Sequence, residues 1–267
     1  MNDRIISSLQ NDQVKMLVKL RNRRARDQLG LTVIEEPPVI ARALDAGYPL
    51  HTVYHCPELL DDARRPLLAA LRALPGISVV EMTKPVMTKA SYRDNPEGLL
   101  VVAPQVKPAL DELNLSGGGP LVILEAVEKP GNLGAILRIA DGAGAAAVLV
   151  CGQGTDLFNP NVLRASRGAY FHLPTVEAPA ERILAYCAEH GITTVAASPA
   201  APNRFSDTDL ARPVALVLGT EHDGLSDEML AACDVTVSIP MLGAGDSLNV
   251  ASSAAVLLYE ALRQRGA

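Results

Sequence analysis

Leu121-Val122-Ile123-Leu124 opens the second half of the chain as an unbroken apolar run, directly after Pro120. Comparable runs recur at Ala147–Val150, Thr193–Ala197 and Val214–Leu218, and the β-branched stretch Val235–Ile239 is also strand-like. A strand with one wet face alternates apolar and polar residues. Continuous runs instead suit parallel strands covered on both faces. Between the runs, Leu133–Ala143, Ala180–His190 and Asp227–Ala232 carry helical patterns. The reading is an α/β domain on a parallel sheet, with its loops, and any site they build, at the C-terminal strand ends.

Upstream, residues 1–30 read as one or two amphipathic helices ending near Gly30. Then come a strand at Leu31–Ile34, a helix at Pro38–Ala46 stopped by Gly47, and a strand at His51–His55. A helix at Asp61–Ala73 and strands at Ile77–Glu81 and Glu97–Ala103 complete a small α/β sandwich. From Pro104 to Pro120 the composition turns to Pro, Asp, Asn and Gly, ending in Ser116-Gly117-Gly118-Gly119. The expected organisation is a first domain over 1–106, a linker over 107–118 and a second domain over 119–267. There are no internal repeats and no low-complexity tract.

With 48% hydrophobic residues in 267, the chain can bury the core of one large domain or two ordinary ones. It has no apolar run of about 18 residues, so no membrane span is expected. Met1-Asn2-Asp3-Arg4 has no apolar signal core, which points to the cytoplasm. Cys56, Cys151, Cys187 and Cys233 lie far apart without Cys-x-x-Cys spacing. They read as reduced, mostly buried thiols, and no metal site is expected.

The net charge of −6 hides an asymmetry. Residues 1–107 hold 15 basic and 12 acidic side chains, a net of +3, whereas 108–267 hold 9 and 18, a net of −9. Seven basic residues against two acidic ones fall within 1–26, among them Arg21, Arg23, Arg24 and Arg26. A basic arm of this kind suits phosphate contacts, since each neutralised phosphate releases counterions. On charge alone, a solvated helix face is an equal reading.

Three segments carry polar groups where a chain folding only for stability has little use for them. The first is Glu128-Lys129-Pro130-Gly131-Asn132-Leu133-Gly134-Ala135-Ile136-Leu137-Arg138, in which Gly131 and Asn132 open a helix. Asn132 reads either as a helix N-cap or as a ligand contact, and Arg138 either as the partner of a core carboxylate or as a group over the helix start. Six residues span roughly 600° of helix, so the two do not share a stripe. The second is Val217-Leu218-Gly219-Thr220-Glu221-His222-Asp223-Gly224-Leu225-Ser226, a strand ending in a glycine turn. There Gly219 lets a ligand approach the backbone, Gly224 allows positive φ, and Glu221 can orient or neutralise a ligand. The third runs from Ile239-Pro240-Met241 to Asp246-Ser247-Leu248-Asn249-Val250. Ser247 can N-cap the final helix (Val250–Leu262), which puts Asn249 in its first turn.

Together these segments resemble the signature motifs of the SpoU/TrmH family of RNA ribose 2′-O-methyltransferases. The resemblance rests on Glu128, Pro130, Gly131, Asn132, Gly134 and Arg138; on Gly219, Glu221, Gly224 and Leu225; and on Ile239, Pro240, Met241, Ser247, Leu248, Asn249 and Val250. Arg164-Ala165-Ser166-Arg167-Gly168-Ala169 with Leu173-Pro174 is similar too. No single piece is specific, but their order across about 130 residues is. The resemblance implies a SPOUT fold with a deep C-terminal trefoil knot, a rare threading, and a homodimer formed through the knotted domain. It implies S-adenosylmethionine as cofactor, held by Ala197, Ser198, Gly219, Glu221, Gly224, Ile239, Met241, Ser247 and Leu248. Arg138, Asn132, Glu221, Ser247 and Asn249 are the implied catalytic set, with Arg138 in the base role. A guanidinium is otherwise always protonated, so that role needs help, for example from a substrate phosphate, or is replaced by a phosphate clamp.

The first half is similar to the small ribosomal-protein-like RNA-binding module that many family members carry. Ser91-Tyr92-Arg93-Asp94-Asn95-Pro96-Glu97-Gly98 before Leu99–Val102 matches its end. Where such modules often read Ile-Glu-Gly, this chain reads Ile34-Glu35-Glu36-Pro37-Pro38. RNA contacts are assigned to Arg21, Arg23, Arg24, Arg26, Arg93, Arg164 and Arg167. The two-domain build favours ribosomal RNA, 23S in particular, over transfer RNA, because two-domain relatives mostly act there. A nicotinamide oxidoreductase is disfavoured, since no Gly-x-Gly-x-x-Gly follows the first strand of the second half. A non-catalytic RNA-binding protein with a degenerate methyltransferase domain predicts loss of Asn132, Arg138 or Asn249, and all three are present.

Overall fold

In the computed structural model, which describes residues 4–154 and 156–266, the expected apolar runs form strands and sort into two sheets. The chain divides into two compact units. One comprises the residues up to Val106 together with Asp156–His172, the other 107–154 and 173–266.

The first unit contains β1 (Arg4–Ile6), α1 (Asp12–Lys19), α2 (Arg23–Leu29), β2 (Leu31–Ile34), α3 (Pro37–Asp45) and β3 (Thr52–His55). It continues with α4 (Arg65–Arg72), β4 (Ser78–Met82), α5 (Lys84–Ala90) and β5 (Leu99–Pro104). Its sheet runs β1-β4-β3-β5-β2, with β5 antiparallel to both neighbours. Residues 4–6 are therefore not helical. Ile6 is buried and pairs with Met82 in parallel register, and the helical arm begins only at Asn11, whose carboxamide accepts from the Gln13 N–H at 2.9 Å. Helix α5, absent from the sequence reading, is short and begins with a proline in its first turn; it buries Val86, Met87 and Ala90.

The segment Asp156–His172, which the sequence reading placed in the second domain, packs into this first unit. It supplies two of the chain's three phenylalanines, and Phe171 sets its ring edge-on to Tyr48 at 4.8 Å between centroids. The Phe158 carbonyl accepts from the buried Thr32 hydroxyl at 2.8 Å.

Arg26 is the main departure from the assigned RNA contacts. It is 1% exposed, donates to the Leu20 and Arg21 carbonyls at 2.8 and 2.9 Å, and pairs with Asp156. A guanidinium so enclosed does not reach an RNA phosphate; its charge anchors the 156–172 segment. Arg26→Ala is expected to lose about 3 kcal/mol in a denaturant titration, because Asp156 keeps a poorly solvated charge without its partner. If Arg26 acted instead on RNA, stability would be unchanged and only RNA affinity would fall. The other basic residues of the arm stay outside: Arg24 is exposed, and Arg23 sits near Asp27 at 3.6 Å. Arg21 lies against α5, donating to the Lys89 and Ser91 carbonyls.

The second unit carries β6 (Leu121–Glu125), α6 (Pro130–Gly142) and β7 (Ala147–Cys151). Helix α7 (Pro160–Ala165) returns to the first unit. Then follow β8 (Thr175–Glu177), α8 (Ala180–Glu189), β9 (Thr193–Ala197), β10 (Asn203–Arg204), β11 (Val214–Leu218), α9 (Asp227–Ala232), β12 (Val235–Ser238) and α10 (Val250–Gln264). The sheet order is β10-β12-β9-β11-β6-β7-β8, and every pairing is parallel, as continuous apolar runs require. The short strands β8 and β10 escaped the sequence reading because they have only three and two residues. Leu121, Ile123, Leu149, Ala215 and Val217 are buried among residues of α8 and α9, while α10 packs on α6 and β11. Among the described residues, no helix is long and apolar enough to cross a membrane.

All four cysteines are free. Burial pushes Cys151 up to about 12 and Cys187 and Cys233 up to about 11. These thiols fill space and are not thiolate nucleophiles at neutral pH.

Candidate active site

Parallel strands end together, so the loops after β6, β9, β11 and β12 gather at one edge of the second unit. The turn after β11 is set by backbone contact. The Thr220 N–H donates to the Gly224 carbonyl at 2.8 Å, and Gly224 takes φ +73°. At Gly219 an added Cβ would stand 2.1 Å from the Gly224 oxygen and 2.4 Å from the Leu225 nitrogen. Only glycine fits there. Below the turn, Glu125 at the end of β6 accepts from Ser226 through both its N–H (2.9 Å) and its hydroxyl (2.7 Å). Ser226 in turn caps α9 through the Met229 N–H at 3.1 Å. The sequence reading missed the Glu125–Ser226 brace; the only available sign was a lone carboxylate ending an apolar strand.

The three segments singled out in the sequence are joined by one directional chain of hydrogen bonds. A backbone N–H can only donate, so the bond from Ala251 N to Asn249 Oδ1 (2.9 Å) fixes the Asn249 carboxamide. Its Nδ2 then donates to Asn132 Oδ1 at 3.2 Å, and Asn132 Nδ2 donates to the Glu221 carboxylate. The first, second and third segments meet at Asn132. Two expectations change here. Asn249, not Ser247, is the N-cap of α10, because its carboxamide reaches the second amide of the helix while its other end stays free for Asn132. Asn132 is not a cap either. Helix α6 starts at Pro130, with Lys129 at the cap position and no side-chain bond, which frees Asn132 to project from the first turn.

Beside this chain of bonds lies a cavity of about 200 Å³. Ala197 and Ser198 form one wall, Gly219, Glu221 and Gly224 the floor, and Ile239, Met241, Ser247 and Leu248 the other wall. Val250 lines it too, as do Thr220 and Ser253, which the sequence reading did not single out. Three carboxylates reach it (Glu221, Asp223 and Asp246), with the exposed His222 and no lysine or arginine. Electrostatically this fits a cationic ligand with an apolar body and disfavours a phosphate-bearing one.

Arg138 stands apart from the cavity lining. It lies further along α6, exposed, and pairs with no carboxylate among the described residues, so the reading of it as a core ion-pair partner does not hold. Asp246, Ser247 and Asn249 are exposed as well. Among the described residues, no group of three or more His, Cys, Asp or Glu is placed to hold a metal.

A parallel α/β unit with an acidic, glycine-lined cavity at its C-terminal strand ends is the build of a ligand-binding α/β domain. A family model described as the SpoU rRNA methylase family matches residues 119–259, and one described as an MRM3-like substrate-binding domain matches 11–101. The chain is 31% identical to a 23S rRNA (uridine(2479)-2′-O)-methyltransferase of Streptomyces viridochromogenes, over 92% of this chain and 87% of that protein. Among solved structures, an RNA 2′-O ribose methyltransferase superposes with TM-score 0.84 at 41% identity, covering 98% of this chain and 99% of that one. An AdoMet-bound rRNA methyltransferase from Sinorhizobium meliloti gives TM-score 0.88 at 30% identity, covering 97% of each chain. The chain belongs to the SpoU rRNA methylase family.

Proposed function

We propose that this protein methylates a ribose 2′-hydroxyl in RNA, 23S ribosomal RNA in particular, using S-adenosylmethionine. The observation that carries the reading is the lining of the second unit's cavity: three carboxylates, no basic side chain except His222, and a glycine floor that bares backbone. S-adenosylmethionine has a sulfonium and an ammonium charge on a largely apolar frame, and when bound it supplies an electrophilic methyl group. Ala197, Ser198, Gly219, Gly224, Ile239, Met241 and Leu248 would hold it, with Glu221 and Ser247 at the reacting side. The AdoMet-bound relative and the named 23S rRNA enzyme support cofactor and substrate.

The 2′-hydroxyl must approach in line with the methyl and lose its proton, and positioning supplies much of the acceleration. Arg138, exposed and without a carboxylate partner, is free to clamp a substrate phosphate in a bidentate pair and hold the hydroxyl in place. The Asn249–Asn132–Glu221 chain keeps the surrounding groups in one orientation.

The finer reading has a trefoil knot in 119–267, an RNA-binding domain over 1–106 joined by a linker at 107–118, a homodimer through the knotted domain, and action in the cytoplasm. The knot is what the family matched over residues 119–259 implies. The dimer is supported by Tyr259 and Leu242, which are 52% and 101% exposed in the second unit. Arg21, Arg23, Arg24, Arg93, Arg164 and Arg167 remain the candidate RNA contacts.

Titration calorimetry with S-adenosylmethionine, followed by mapping of 2′-O-methyl sites on total RNA from cells with and without the gene, tests the reading. The expected result is one cofactor per chain and the loss of one ribosomal RNA methyl site on deletion. No cofactor binding, or an unchanged methylation map, would overturn it.

A further inference from the structure

The first unit has a concave site of its own, unrelated to the cavity described above. It measures about 320 Å³, at the lower end of the roughly 300–1,000 Å³ typical of small-ligand sites. It lies where the chain departs from the Ile-Glu-Gly pattern, between the start of α3, the loop 91–96 and α7.

Its construction is specific. Glu35, 9% exposed, accepts from the Ser91 hydroxyl at 2.9 Å, from the Arg93 N–H at 3.2 Å and from the Tyr92 N–H. Three bonds to one carboxylate fix the loop that carries Tyr92. Tyr92 is left 36% exposed, and its hydroxyl accepts from Asn161 Nδ2 at 3.3 Å. Glu36 holds Arg93 at 3.3 Å and Arg167 at 3.9 Å, which keeps two guanidinium groups nearby. Each Glu36 oxygen faces one arginine, and a carboxylate with about four acceptor sites has capacity left over. Arg164 leans on Asn161 Oδ1 at 3.2 Å and is otherwise exposed.

An accessible aromatic face, planar guanidinium groups and a carboxylate with spare acceptors make up the set that recognises an unstacked base. A hydrated phosphate alone would not need the ring or the carboxylate. An acceptor-only carboxylate selects a base that offers adjacent donors, as guanine does with N1–H and its 2-amino group.

We propose that this cavity takes one unstacked guanine of single-stranded RNA. Tyr92 is its stacking platform, Glu36 the acceptor for its donor edge, and Arg164 and Arg167 the contacts to adjoining phosphates. The inference rests on the reading of this unit as the RNA-binding one and adds to it a named base and a named site.

The test uses the full chain and a fluorescein-labelled RNA decamer with one central guanosine among uridines, followed by anisotropy. Tyr92→Ala is expected to weaken binding by about tenfold or more, and Tyr92→Phe by about twofold or less, since stacking survives without the hydroxyl. Replacing the guanosine by inosine, which lacks the 2-amino group, should weaken binding to the wild type and leave Glu36→Gln indifferent. Ultraviolet crosslinking of the wild type should join Tyr92 to the guanosine, and that readout stands even if a variant fails to fold. Equal binding of the annealed duplex, an unchanged affinity for Tyr92→Ala, or crosslinks elsewhere would overturn the proposal. Calorimetry with S-adenosylmethionine runs in parallel. Cofactor binding without the guanosine crosslink defeats only this proposal, whereas the crosslink without cofactor binding defeats only the methyltransferase reading.

Discussion

Arg138→Ala is expected to lower the turnover of RNA methylation by on the order of 10³-fold, a typical share for a positioned acid–base or clamping group. Its affinity for S-adenosylmethionine should stay within about twofold of wild type, since both figures follow from where the side chain sits. Arg138 is exposed on α6 and does not line the cavity assigned to the cofactor, so truncating it removes nothing the cofactor touches. Little stability should be lost either, because it makes no ion pair among the described residues. Arg138→Lys separates two roles. A lysine keeps the charge but not the planar fork, so a phosphate clamp would recover in part and show a raised KM for RNA. A guanidinium acting on the hydroxyl proton would not recover. Single-turnover methylation assays at saturating cofactor read both quantities, and near-normal turnover by Arg138→Ala would remove this residue from the reaction.

Gly219→Ala is expected to be severely damaging for a single added methyl group. The added carbon would overlap the Gly224 carbonyl and the Leu225 nitrogen at 2.1–2.4 Å, and these are backbone atoms that no rotamer change can move. The Thr220–Gly224 bridge must open, and with it goes the placement of Glu221 against Asn132. Forced overpacking of this kind costs roughly 1–3 kcal/mol of stability. Loss of the shaped floor should weaken cofactor binding by on the order of 100-fold, equivalent to about 2.7 kcal/mol. Gly224→Ala is the control: its φ of +73° is strained for alanine but the space is open, so the loss should be about 1 kcal/mol of stability. Thermal melts with and without cofactor distinguish the two. Wild-type affinity in Gly219→Ala would mean that the cofactor does not use this turn.

Much of the fold is legible in local pattern. The runs at Leu121, Ala147, Thr193, Val214 and Val235 form strands because parallel strands between helices must be apolar on both faces, a requirement each strand writes into its own residues. The cofactor candidates rest on the motif resemblance, and three of them, Ala197, Gly219 and Ile239, lie at or just beyond a strand end, where a parallel sheet collects its loops.

Helix caps were less legible. Ser247 and Asn249 have the same local capping chemistry, and the choice between them depends on Asn132, more than a hundred residues away. The brace between Glu125 and Ser226 and the network at Asn132 are long-range in the same sense.

The sequence by itself determined the two α/β halves and the parallel sheet, because hydrophobic period and glycine placement act within a few residues of chain. Most of the cavity residues were named only through the motif resemblance. Only the tertiary structure decided that residues 156–172 join the first unit, that Arg26 is an internal anchor, and that Asn132 links three segments. A charge or a carboxamide has no preferred environment until burial removes water from it and a partner is brought within hydrogen-bond reach. Which arginines meet RNA and which hold the fold together is therefore settled by packing. Composition counts them all alike.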